Sequence, residues 1–138
     1  MSFNSRISQI HTYPLPIFER DNGRLTFFES FATSNTSFKR IFFIEGPSGL
    51  NRGAHAHRIC QQLIFCSHGS IRLTFKDGQN ENMISLKSLE LGIFVPSGIW
   101  VELYFEQDSS VTVLADHAYS EDDYIRNWDE FIEFKGGH

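Results

Sequence analysis

The chain has 138 residues, 41% of them hydrophobic and 14% aromatic, with fourteen Phe. This composition excludes disorder and gives a single domain, residues 1–138 with a core from about 21 to 134, enough apolar material for a thick interior. A formal net charge of −5 argues against a general nucleic-acid binder. No apolar run approaches a membrane span and no basic-apolar-small leader opens the chain, so a cytoplasmic protein without a membrane partner is expected.

Residues 1–20 carry little pattern, and Pro14 and Pro16 keep them extended or turned. Asp21-Asn22-Gly23 is a turn signal leading to a short strand at 25–29, and a polar loop follows at 32–37. Residues 39–45 (KRIFFIE) are β-rich, and Gly46-Pro47-Ser48-Gly49 forms a loop into the segment containing His55-Ala56-His57. An apolar run at 63–66 closes at Gly69. Further strands are predicted at 70–75, 83–89, 91–95, 100–105 and 111–115, with turns at Asp77-Gly78 and Pro96-Ser97-Gly98. Cys60 and Cys66 are expected in one strand, too far apart for a disulfide, as reduced buried thiols.

Only the tail has helical spacing. Tyr124, Ile125, Trp128, Phe131 and Ile132 fall on one face of a helix predicted over 121–134, with Ser120 and Asp123 resembling a capping box and a frayed end at 136–138. Many short strands separated by turns predict an all-β fold, a sandwich or small barrel with a short C-terminal helix. The inner face of such a barrel can hold a small molecule.

The chemistry gathers around His55 and His57. Residues i and i+2 of a strand share a face, so both imidazoles leave the sheet together, suited to a metal or to proton transfer. Arg52 sits three residues before the first of them, beside Gly53, where its guanidinium could hold a phosphate or a developing enolate oxygen. Arg40 lies in the preceding strand, and Arg58 is expected to point outward. Trp100 could stack on a base or sugar, or fill the core.

The spacing resembles the first motif of the cupins: five residues separate Gly49 from His55, and six separate Gln62 from Gly69. Gln62 stands where that motif carries an acidic ligand, and Ile99 to Val101 are apolar where the second motif usually supplies a histidine. Two neutral imidazoles and an amide lack a charge-bearing ligand, so no tightly held metal and no cofactor are expected, leaving the histidines free to carry protons.

KRIFFI at 39–44, RGAHAHR at 52–58 with Gln62 and Gly69, and AYSEDDYIRNWDEF at 118–131 together resemble the WxcM-like sugar 3,4-ketoisomerases, small cupins with a jelly-roll barrel. The resemblance implies an isomerase acting on dTDP-4-keto-6-deoxyglucose in deoxysugar biosynthesis for surface polysaccharide. It also implies a homodimer with exchanged N-terminal strands and no metal requirement. By motif position it implies His55 as principal base, His57 as second histidine, Arg52 and Gln62 at the sugar, and Arg40 at the pyrophosphate. Asn22, Val101, Phe42 and Phe43 depart from residues common in that family near the sugar, and these positions bear on the configuration of the product. The competing readings are a non-catalytic nucleotide-sugar-binding cupin, a metal-dependent cupin enzyme, and a deoxysugar epimerase, whose chain is longer.

Overall fold

The computed structural model describes residues 2–29 and 37–136; most of the predicted 32–37 loop and the last two residues of the expected frayed end lie outside them. Twelve strands and one α-helix, besides three single-turn 3₁₀-helices, occur among the described residues: β1 (His11–Pro14), β2 (Ile17–Arg20), β3 (Gly23–Thr26), β4 (Arg40–Gly46), β5 (Asn51–His57), β6 (Gln62–His68), β7 (Ser70–Lys76), β8 (Glu81–Lys87), β9 (Leu91–Val95), β10 (Trp100–Phe105), β11 (Ser109–Ala115), β12 (Tyr124–Ile125) and α1 (Trp128–Phe134). Two five-stranded sheets, ordered β1-β9-β6-β11-β4 and β12-β5-β10-β7-β8, face one another, and β2 and β3 form a separate hairpin. This is a jelly-roll barrel of antiparallel pairs.

The space between the sheets is filled from both sides. Ile64, Cys66, Ile93 and Val111 of one sheet meet Ile71, Leu73, Phe75 and Phe105 of the other. Each sheet also buries part of its outer face. Leu63 and Phe65 point the other way along β6 and are covered by Leu15, Tyr13 and Phe28, which explains why β6 reads as an unbroken apolar run. On the second sheet, Ala56 and Trp100 lie beneath Ile125 of β12 and Phe131 of α1.

The fold corrects four expectations. The core begins ahead of residue 21, because β1 pairs with β9 and Ile7 and Ile10 pack against the interior. Cys60 precedes β6 and does not share a strand with Cys66, although both are buried free thiols. The helix occupies only the second half of its predicted span. Tyr124 and Ile125 instead pair with His57 and Ala56 of β5, since ladder hydrogen bonds and the burial of Ile125 outweigh local spacing. Accordingly Ser120 makes no capping bond, and Asn127 caps α1 by accepting from the Glu130 amide at 3.0 Å. Among the described residues no helix is long and apolar enough to cross a membrane.

Candidate active site

The strand periodicity holds at the histidine pair. His55 and His57 point between the sheets while Ala56 points toward α1. Their rings lie 5.1 Å apart, nearly perpendicular. His55 lines a small cavity whose walls are mostly Phe42, Ile44, Ile64, Leu103, Val111 and Val113, with Gln62 the other side chain able to hydrogen-bond there. The enclosed space, about 50 Å³, has room for one or two waters. This enclosed space by itself is too small for a ring-sized ligand.

A β-bulge shapes the rim. His55 pairs with Val101, yet Leu103, two residues on along β10, pairs with Arg52, three residues back along β5. The extra residue is accommodated at Gly53, whose φ of +83° lies in the left-handed region that favours glycine. In an unbroken strand, Arg52 would face away from His55. The shifted register places it opposite Leu103, on the cavity side. Arg52 is exposed there and makes no hydrogen bond or ion pair with a described residue.

His57 is more confined. It is 5% exposed, its Nδ1 lies 2.8 Å from Asp123 Oδ2, and its Nε2 lies 3.1 Å from the Gln62 side-chain nitrogen. Burial lowers its pKa despite the nearby carboxylate. His55 makes no hydrogen bond with a described residue. Burial, with smaller effects from His57 and Arg126, pushes its pKa down to about 4. Both histidines are therefore neutral at pH 7, the state able to accept a proton.

Arg40 shares the cavity face of β4 with Phe42 and Ile44. Its guanidinium lies 5.0 Å from the Phe42 ring centre and 5.7 Å from that of Tyr119, and its buried Nε has no hydrogen-bond partner among the described residues. The same guanidinium side chain also hydrogen-bonds the Cys60 thiol, which holds Arg40 beside the His57 end of the site. Arg58 turns outward to Glu130 Oε1 at 2.6 Å, as the strand parity predicts.

Trp100 must be removed from the set of binding residues. His55 and Val101 share the inner face, so their neighbours Ala56 and Trp100 point outward. Trp100 is 4% exposed, packs edge-on to Trp128 at 5.3 Å, and donates from Nε1 to Glu102 Oε2 at 3.0 Å. It anchors α1 to the sheet.

The sequence reading missed what β12 and its flanks contribute. Tyr124 is opposite His57 in the ladder, with its ring 4.4 Å from that of His57 and 5.1 Å from that of His55. Arg126 lies over the far side of this arrangement, 4.3 Å from the Tyr124 ring centre, and donates twice to Glu121, which also accepts from the Tyr119 hydroxyl. The sequence signal was present in SEDDYIR, but helical spacing obscured its extended conformation. Among the described residues, two groups have ligand atoms close enough for a metal: His57, Cys60 and Asp123, and Cys60, Asp116 and His117. Their carboxylates already accept from His57, His117 and backbone amides, and neither group contains His55.

Two facing antiparallel sheets with a histidine pair between them, one member of which lines the enclosed cavity, define a cupin-type small-molecule enzyme. The chain belongs to the family described as "FdtA: WxcM-like, C-terminal", which matches residues 8–136. It is 37% identical over 100 residues to the TDP-4-oxo-6-deoxy-α-D-glucose-3,4-oxoisomerase of Aneurinibacillus thermoaerophilus, covering 71% of this chain and 72% of that protein. Its structure is similar to that of a 3,4-ketoisomerase from Helicobacter canadensis, with a TM-score of 0.85 and 29% identity over 92% of this chain and 97% of the other. It is also similar to QdtA, a sugar 3,4-ketoisomerase from Thermoanaerobacterium thermosaccharolyticum crystallised with TDP. There the TM-score is 0.84 and the identity 26%, over 93% of this chain and 95% of the other.

Proposed function

We propose that this protein is a sugar-nucleotide 3,4-ketoisomerase that converts dTDP-4-keto-6-deoxyglucose into a dTDP-3-keto-6-deoxyhexose. The observation that carries this reading is the pair of imidazoles 5.1 Å apart, of which His55 lines a mostly apolar cavity, with Arg40 and Arg126 stacked on aromatic rings nearby. His55, with neither ring nitrogen hydrogen-bonded to a described residue, takes the proton from C3. The electron pair left at C3 forms the enediolate double bond, and negative charge develops on the C4 oxygen. Proton delivery to C4 and movement of the hydroxyl proton from the C3 oxygen toward the C4 oxygen then give the 3-ketone. C3 is oxidised and C4 reduced within one molecule, so the balanced reaction needs groups that accept and return protons, and no external redox partner.

Arg40 and Arg52 serve the substrate's negative charges in this reading, Arg40 at the diphosphate and Arg52 at the sugar end. Gln62 contacts the sugar from the cavity wall. The same reading places the enzyme in the cytoplasm, alongside nucleotide-sugar donors, as a homodimer. Support for the dimer comes from the β2–β3 hairpin, which exposes Ile17, Phe18 and Leu25 and stacks Phe18 on Phe27 without a core of its own. Such a hairpin suits exchange onto a second copy. Sedimentation equilibrium should give a dimer, and Phe18→Asp should shift it toward monomer. A wild-type monomer throughout the micromolar range would count against exchange.

The functional test is incubation of purified protein with dTDP-4-keto-6-deoxyglucose and identification of the product by NMR. A 3-keto isomer is expected; unchanged substrate would reject the assignment.

A further inference from the structure

Asp123 is a buried carboxylate that touches His57, and its two oxygens do different work. Oδ2 lies 2.8 Å from His57 Nδ1, while Oδ1 accepts from the Ile59 amide at 2.7 Å. Its backbone carbonyl accepts from the Arg58 amide at 2.8 Å, so one residue clips the end of β5 to the segment entering β12. A carboxylate accepts only, so the hydrogen between Asp123 and His57 resides on Nδ1. His57 Nε2 is then a bare lone pair, and the Gln62 nitrogen 3.1 Å away donates to it. This fixes the orientation of an amide that could otherwise flip, and Gln62 lines the cavity. Other groups facing His57 are the Cys60 thiol, the rings of His55 and Tyr124 and the charges of Arg40 and Arg126; among the described residues only Asp123 is hydrogen-bonded to Nδ1.

We propose that Asp123 is the positioning residue of this site: it holds His57 as the Nδ1–H tautomer and, through His57, orients the Gln62 carboxamide toward the bound sugar. The proposal rests on the ketoisomerase reading for its consequence in turnover, but not for its tautomer. With Nδ1 donating to Asp123 and Nε2 accepting from Gln62, His57 is braced between two partners, and His55 is left as the imidazole open to the substrate.

Asp123→Asn separates this role from simple support. Asparagine can retain an oxygen for the Ile59 amide while presenting an NH₂ group to His57 Nδ1. His57 should then move its proton to Nε2, forcing the Gln62 amide to turn over. Long-range ¹H–¹⁵N spectra of histidine-labelled protein read the tautomer directly. Wild type should show His57 protonated at Nδ1, and D123N should show it protonated at Nε2. In turnover, D123N should lose about 10- to 10⁴-fold in kcat with KM changed less than about threefold, the range spanned by losing a partner behind a metal-bound histidine and losing the carboxylate behind a general-base histidine. An Nε2–H tautomer in wild type would overturn the proposal even if D123N failed to fold. A switched tautomer with kcat within twofold of wild type would also overturn it. If wild type shows the Nδ1–H tautomer but does not turn over the keto sugar, the functional reading fails and the positioning of His57 stands.

Discussion

Replacing His55 with Asn removes the base that takes the proton from C3 in the proposed reaction. With a pKa of about 4, nearly every His55 side chain is neutral at pH 7, so the substitution deletes a base that is almost fully in its working form. A positioned proton-transfer group contributes about 10²–10⁴-fold in rate, equivalent to about 3–5 kcal/mol of barrier. The fold should hardly notice. His55 makes no hydrogen bond with a described residue, and its ring contacts are with His57 and Tyr124, each at 5.1 Å. Exchange of one half-buried polar side chain for a smaller one should keep the unfolding free energy within about 1 kcal/mol of wild type. The assay is NMR-monitored loss of the C3 proton in D₂O, alongside denaturant unfolding of the same preparations. A folded variant retaining more than a tenth of the wild-type exchange rate would refute the assignment of His55 as carbon base.

Four further outcomes follow from the same structure. Since burial lowers the pKa of both histidines, the unfolded chain takes up protons first as pH falls. Stability from this source is intact above about pH 6.5 and is lost toward pH 4, with His55 contributing up to about 3 kcal/mol; denaturant midpoints that do not change between pH 7.5 and 4.5 would contradict this. The acid limb of kcat/KM should lie near pH 4, and a limb at 6.5 or above would mean that His55 is not the base. Trp100→Ala should cost about 3–5 kcal/mol in stability by emptying the layer beneath α1, with little change in KM for the folded fraction; a raised KM at unchanged stability would return Trp100 to the binding site. Gly53→Ala finds only ordinary contacts for its added methyl, 3.8 Å from Leu103 Cβ, so its cost of about 1–2 kcal/mol comes from the positive φ. The bulge should relax and misdirect Arg52, raising KM more than it lowers kcat; unchanged kinetics would show that Arg52 plays no part at the sugar.

The histidine pair was legible because strand parity is a local rule: His55 and His57 share a face in any regular strand. Gln62 and Gly69 followed from motif spacing. Trp100 and Arg52 show where that legibility ends. Each has the wrong parity or the right one only relative to a neighbouring strand, and the register between β5 and β10 is set by a bulge. Nothing in the local sequence announces that Trp100 faces α1, because a buried tryptophan under a helix and a tryptophan in a binding cleft have the same local pattern. The tail failed for a different reason. SEDDYIR has helical spacing, yet Tyr124 and Ile125 gain more by completing the edge of β5, and this pairing brings Asp123 to His57. A long-range contact decided the local conformation. Resemblance to the ketoisomerases singled out this segment as distinctive before its role at the site was visible.

The most direct measurement of the central claim follows the isotope. Chelator-treated protein is incubated with dTDP-4-keto-6-deoxyglucose in D₂O and the sugar is examined by NMR. A ketoisomerase acting through His55 gives a 3-keto product carrying deuterium at C4, with coupling constants that reveal its configuration. Unchanged substrate with no deuterium at C3 would contradict it.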